Sequence, residues 1–255
     1  MITVKQVVLV LLIFFTAAVF AQDKEMNPEA GKLFNEGNAL LKAGNYNGAI
    51  EKYNAALKIE KDYRIFYQKG ISLRKSNKND EAKDSFEESL KLNPNFEASY
   101  NALGGVYFSM GNFTKSIEKF EKILEMKNVK ANVKDKVKNN MSLAYSRLGN
   151  ESLSKGDPTK GIELLKKAVE FSNYDAAFLS LAKVYSETGQ YDESIKAAEN
   201  ALKYRSKISR GGPYYYMGIS YKGKGDNAKA KEMFSQAQSD ATYKKTAEYE
   251  LGLLK

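Results

Sequence analysis

The 255-residue chain contains no histidine and no cysteine. The side chain best suited to proton transfer near neutral pH is therefore missing. A thiolate nucleophile, a disulfide and the usual zinc ligand sets are missing with it. Asp, Glu, Ser, Lys and Tyr remain, but their arrangement does not suggest a reaction. The neighbouring carboxylates Glu87 and Glu88 fall on a charged helical stretch, where solvation accounts for them. Gly223-Lys224-Gly225 is rich in glycine, yet no strand precedes it as a phosphate-cradling loop requires. The expectation is a chain that catalyses nothing and holds no cofactor and no metal. Its useful chemistry is recognition, through residue types that anchor interfaces: Tyr for contact area and Arg for forked hydrogen bonds. The densest such run is Tyr214-Tyr215-Tyr216. Stacking on bases would need flanking cations and a nucleic acid within reach, and no nucleic-acid partner is expected.

Charge points the same way. Lys and Arg number 40 against 31 Asp and Glu, a net charge of +9. Acidic residues are interspersed with basic ones, so solvated helix faces account for most of this. The excess also suits an acidic partner or an anionic surface.

The N-terminus reads as an address. Lys5 is the only charge before Asp23, and Val7 to Phe20 is an apolar run broken only by Thr16. Val19 and Ala21 supply the small residues of a signal-peptidase site, and polar Gln22-Asp23-Lys24 follows. The run is short against the roughly 18–20 residues that span a bilayer. Residues 1–21 are thus expected to be a secretory signal peptide and 22–29 a short polar leader. Membrane contact is expected only through this segment, if it stays uncleaved. Export to a bacterial periplasm or cell surface follows as the expected location, with stability resting on core burial because no disulfide is used.

The elements that position the candidate residues form a repeat. Lys42-Ala43-Gly44-Asn45-Tyr46 is followed by Ala49 and Tyr53, and Ser109-Met110-Gly111-Asn112-Phe113 by Ser116 and Phe120. Turn residues Gly44, Asn77, Gly111, Gly156, Gly189 and Gly225 stand 33, 34, 45, 33 and 36 residues apart. Each period reads as helix, tight turn, helix, with a left-handed residue leaving the first helix. Small residues recur midway along each first helix, at Gly37, Gly70, Gly104, Gly149, Ala182 and Gly218. They recur on the second helices at Ala49, Ala82, Ser116, Gly161, Ser194 and Ala230, with large side chains such as Phe86, Leu165 and Phe234 between.

This small–large–small code at a period near 34 resembles the tetratricopeptide repeat (TPR) family. The best copy is Tyr100-x-x-Leu103-Gly104-x-x-Tyr107 with Ser116, Phe120 and Leu124. Six frames begin near Ala30, Tyr63, Glu97, Ser142, Asp175 and Gly211. The resemblance implies an all-α fold, a right-handed α-solenoid of about six helical hairpins over residues 30–240. Residues 241–255 carry Tyr243, Ala247, Leu251 and Leu254 at helical spacing and read as a capping helix. The extra residues 131–141 contain no Gly or Pro and predict an elongated helix from about Asn132 to Lys155, with a possible break in the array.

In the family, first helices line a concave groove that binds partner peptides. Carried onto this chain, the groove comprises Asn35, Asn38 and Lys42, then Arg64, Tyr67, Gln68, Arg74 and Lys75. It continues with Asn101, Arg147, Asn150 and Lys183, and ends with Tyr215, Tyr216 and Lys222. One subclass of the family clamps the C-terminal carboxylate of chaperone tails with a fixed Lys/Asn pattern. Here Phe34, Ala98 and Ala102 replace clamp residues and only Asn38 matches. The expected partner is therefore some other protein or peptide. The alternative is an anionic cell-envelope polymer.

Overall fold

The computed structural model describes residues 25–254. The expected signal peptide lies outside them, and of the expected leader only its last five residues are described. Among the described residues there are thirteen α-helices and no strands. Six hairpins follow one another: α1 (Pro28–Lys42) with α2 (Tyr46–Ile59), α3 (Tyr63–Lys75) with α4 (Asn79–Leu92), and α5 (Glu97–Ser109) with α6 (Phe113–Glu125). Then come α7 (Ala131–Ser154) with α8 (Pro158–Phe171), α9 (Asp175–Glu187) with α10 (Tyr191–Lys203), and α11 (Gly211–Gly223) with α12 (Asn227–Ala237). A single helix, α13 (Lys244–Leu253), packs against α12. Helix α1 takes in the last two residues of the expected leader, because Asn27 caps it by accepting from the N–H groups of Glu29 and Ala30.

The dipeptide at each turn does two jobs. The first residue takes φ near +60 to +80, at Asn77 and five glycines. This lets the backbone fold over the helix end, as where Asn45 N–H reaches Leu40 C=O at 2.9 Å. The next residue, where it is Asn or Asp, starts the second helix. Asn45, Asn112, Asp157 and Asp226 each accept from the N–H three residues on.

Within hairpins, rings press onto glycines. A methyl group on Gly37, Gly70, Gly104 or Gly218 would lie 2.5–2.6 Å from the ring of Tyr53, Phe86, Phe120 or Phe234, respectively. Ser116 and Ser194 add a hydrogen bond from their hydroxyls to the carbonyls of Gly104 and Ala182, each at 2.8 Å. Buried clusters follow one another along the array, so each hairpin completes its neighbour's core.

The stack curves. First helices touch their successors at α1/α3, α3/α5, α7/α9 and α9/α11, whereas second helices are held apart. The first-helix face is therefore the inner one. The contact between α5 and α7 is marginal at most. There α7 runs for 24 residues, and its added N-terminal turns pack Val137 and Met141 onto Ile117, Phe120 and Ile123 of α6.

Candidate partner-binding groove

The inner face of the first three hairpins carries the most developed cluster. Tyr67 is half-buried, its ring edge-on to Phe96 at 5.2 Å and tilted against Phe86 at 5.9 Å. Burial pushes its phenol pKa up; Arg74 counters this and Glu97 adds to it. The Arg74 guanidinium lies over Gly105, where an added methyl group would sit 3.3 Å from its Nη1. The missing side chain at Gly105 thus gives Arg74 its place. Arg74 makes no ion pair among the described residues, and neither do the exposed Lys42 and Lys75. Gln68 is half-buried beside Tyr67, and Asn35 and Asn101 are exposed on α1 and α5.

Further along, Asn150 and Lys183 come together in a cavity of about 250 Å³ between α7 and α9, with Leu153 and Glu187. Lys183 Nζ lies 3.9 Å from Glu187, and Arg147 is exposed one turn before Asn150.

Five expected groove residues have other work. Asn38 is half-buried and accepts the Tyr53 hydroxyl proton at 2.8 Å, so it serves the first hairpin's interior. Arg64 is held at 2.6 Å by Asp62, the N-cap of its own helix. Tyr215 is tilted against the Tyr243 ring at 5.4 Å and Tyr216 is edge-on to it at 6.2 Å, and Tyr215 also packs on Phe234. Burial pushes the pKa of both phenols up, with the neighbouring Tyr243 adding to the effect. Lys222 bridges to Glu250 of α13 at 2.6 Å. Helix α13 and Tyr243 just before it cover these last three positions. Tyr214, the first of the three-tyrosine run, is half-buried between the last two clusters.

One feature escaped the sequence. On the opposite side, α6, α7 and α8 enclose a cleft of about 480 Å³ lined by Ile117, Tyr145, Leu148 and Leu164 and rimmed by carboxylates. The spacing of Tyr145, Leu148, Ser152 and Lys155 marks one face of α7, but no residue type in it stands out.

Tetratricopeptide repeat models match residues 30–63, 67–130, 176–208 and 214–241, together more than half of the chain. The chain belongs to the tetratricopeptide repeat family. Among curated TPR relatives, the small glutamine-rich tetratricopeptide repeat-containing protein 2 of Mycosarcoma maydis is 27% identical over 99 residues. That match covers 38% of this chain and 28% of the relative. Heat shock protein STI1 of Saccharomyces cerevisiae is 24% identical over 103 residues, 40% of this chain and 18% of that one. The chain thus spans less than a third of the length of these relatives. Among solved structures, the C-terminal part of a TPR repeat-containing protein from Cytophaga hutchinsonii superposes with a TM-score of 0.63 at 15% identity, over 89% of both chains. The pilF protein of Pseudomonas aeruginosa gives 0.51 at 13% identity, over 87% of this chain and 97% of that one. At these identities the likeness is one of fold.

Proposed function

We propose that this TPR chain is a protein-interaction scaffold that receives a peptide segment of its partner along the inner face of the first three hairpins. The observation that carries the reading is Tyr67 fixed on Phe86 and Phe96 beside Arg74, which makes no ion pair among the described residues. A seated aromatic ring with a guanidinium next to it is the pairing that anchors interfaces at low entropic cost. Lys42 and Lys75 extend the positive field, so the segment it suits is acidic. Co-chaperones among the relatives fit a protein-handling role. The carboxylate clamp is not part of this proposal, since Asn38, its one matching residue, is occupied by Tyr53.

Selection from a random peptide library on the full chain tests the reading. Selected peptides are expected to converge on acidic residues flanking an apolar one, and Arg74→Glu is expected to weaken them by about tenfold or more. Absence of convergence, or indifference to Arg74→Glu, would overturn it. Binding of a soluble polyanion that collapses between low and moderate salt would instead favour the envelope-polymer alternative.

The proposal extends to export, on the strength of the apolar run ending in Val19-Phe20-Ala21. N-terminal sequencing of the protein from its native host is expected to begin at Gln22; an intact Met1 would contradict cleavage.

A further inference from the structure

We infer that this chain associates with further copies of itself, the exposed face of α13 in one copy seating in the cleft between α6, α7 and α8 of the next. Two separate features meet in this inference, and neither has a role in the inner groove.

The first is the cleft. Its floor is apolar, from Ile117, Tyr145, Leu148 and Leu164. Its rim is charged, and half of that charge is already matched. Lys155 pairs with Glu151, and Asp157 spends its carboxylate capping α8. Glu118 and Glu121 on α6 make no ion pair among the described residues, Glu121 only accepting a long hydrogen bond of 3.5 Å from the Tyr145 hydroxyl. Lys160 is the one rim cation outside an ion pair among the described residues. The rim is therefore left net negative on a chain whose overall charge is +9. An apolar floor with an acidic edge suits an apolar side chain that has a cation beside it.

The second is α13. It buries Ala247 and ties Glu250 to Lys222, which fixes which way it faces. Its outward face carries Lys245, Tyr249 and Leu253 at intervals of four, one continuous stripe on a helix. Tyr249 and Leu253, at 66% and 55% exposure, are the most exposed large apolar side chains among the described residues. The stripe thus presents a cation, an aromatic ring and an aliphatic side chain in line, the complement of the cleft.

The two cannot meet within one chain. Helix α13 packs on α12, and two whole hairpins, α9/α10 and α11/α12, separate it from α8. The contact must be between copies and heterologous, the cleft of one taking the helix of another. It leaves the inner groove open. Tyr145, Leu148, Ser152 and Lys155 face the cleft, whereas Asn150, Leu153 and Ser154 face α9, and at 3.6 residues per turn these sets fall on opposite sides of α7. A single ten-residue helix buries well under the ~800 Å² per partner of a standard stable interface, so the association is weak and concentration-dependent.

Sedimentation velocity of the full chain over a concentration series tests this. The expected result is a mass that rises with concentration, and a dissociation constant raised about tenfold or more by Tyr249→Ser with Leu253→Ser. Both positions are exposed, so the variant folds. Glu121→Lys and Lys245→Glu are each expected to weaken association, and an equimolar mixture of the two is expected to restore it. Because the chain has no cysteine, a copy with Glu121→Cys and a copy with Lys245→Cys should also cross-link to each other under mild oxidation. A monomer at every concentration, or association indifferent to Tyr249→Ser with Leu253→Ser, would overturn the inference.

Discussion

Five of the six hairpins close on a missing methyl group. In the third, the Phe120 ring occupies the space a side chain at Gly104 would need, 2.6 Å from where its Cβ would stand. The ring is 1% exposed and cannot swing aside into solvent. Gly104→Ala is therefore expected to cost ~1–3 kcal/mol, even though alanine favours helix. The fifth hairpin shows how the pair can change together, with Ala182 opposed by Ala198 and both buried. A double-mutant cycle tests the coupling by urea denaturation. Gly104→Ala should cost close to nothing in a Phe120→Ala background, and equal costs in both backgrounds would break the argument. These pairs were legible in the sequence because several copies agree in register, and the glycine and the ring recur at fixed offsets from the turn. Tyr215 and Tyr216 were not legible in the same way. Their offsets match groove positions, and only the path of a later helix decides that Tyr243 lies against them.

Between elements, a single carboxylate fastens a long connection. Asp175 opens α9 and is buried, and one of its oxygens accepts the backbone N–H groups of Ser206, Lys207 and Ile208 at 2.6, 2.8 and 3.2 Å. Those residues belong to the loop from α10 to α11, where the turn spacing stretches to 36. Burial alone pushes the Asp175 pKa up, but the three N–H groups and the Ser206 hydroxyl outweigh it and hold it below the ordinary carboxylate range. The folded value lies below the unfolded one. The stabilisation is thus complete above the unfolded pKa of ~3.9 and is lost as pH falls through the folded value. Asp175→Asn is expected to cost ~1.5–3 kcal/mol at neutral pH, with the gap to the native chain narrowing below pH ~4. Urea midpoints measured across that range check it; a gap that stays constant into acid would show that the charge is not what matters. The sequence marked Asp175 as a helix start. It could not show the bond to residues more than thirty positions away, because that depends on the course of an irregular loop.

Across the whole molecule, the extra residues before the fourth hairpin change how two neighbouring hairpins are joined. Their helical character was readable, since residues 131–141 hold no Gly or Pro and a turn spacing of 45 demands added length. What could not be read was the sideways consequence. With α7 extended to 24 residues, α5 and α7 barely meet, and the cleft opens between α6 and α8. Coupling between the two ends of the array then passes mainly through α6 against α7, where Met141 is fully buried with Val137 among Ile117, Phe120 and Ile123. In a stack held by nearest-neighbour interfaces, stability is shared only as far as each interface transmits it. Met141→Ala is expected to remove ~2–5 kcal/mol from this joint. The native chain should lose hydrogen-exchange protection on both sides of α7 over the same urea range. The variant should lose it in two separate transitions, one for α1–α6 and one for α8–α12. Phe86→Ala, of similar cost but inside the second hairpin, removes nothing from the α6–α7 face, so protection on both sides of α7 should still be lost together, at a lower urea concentration. If Met141→Ala still unfolds in one coincident transition, the joint carries less of the coupling than its packing indicates, and the array is continuous in energy despite the inserted turns.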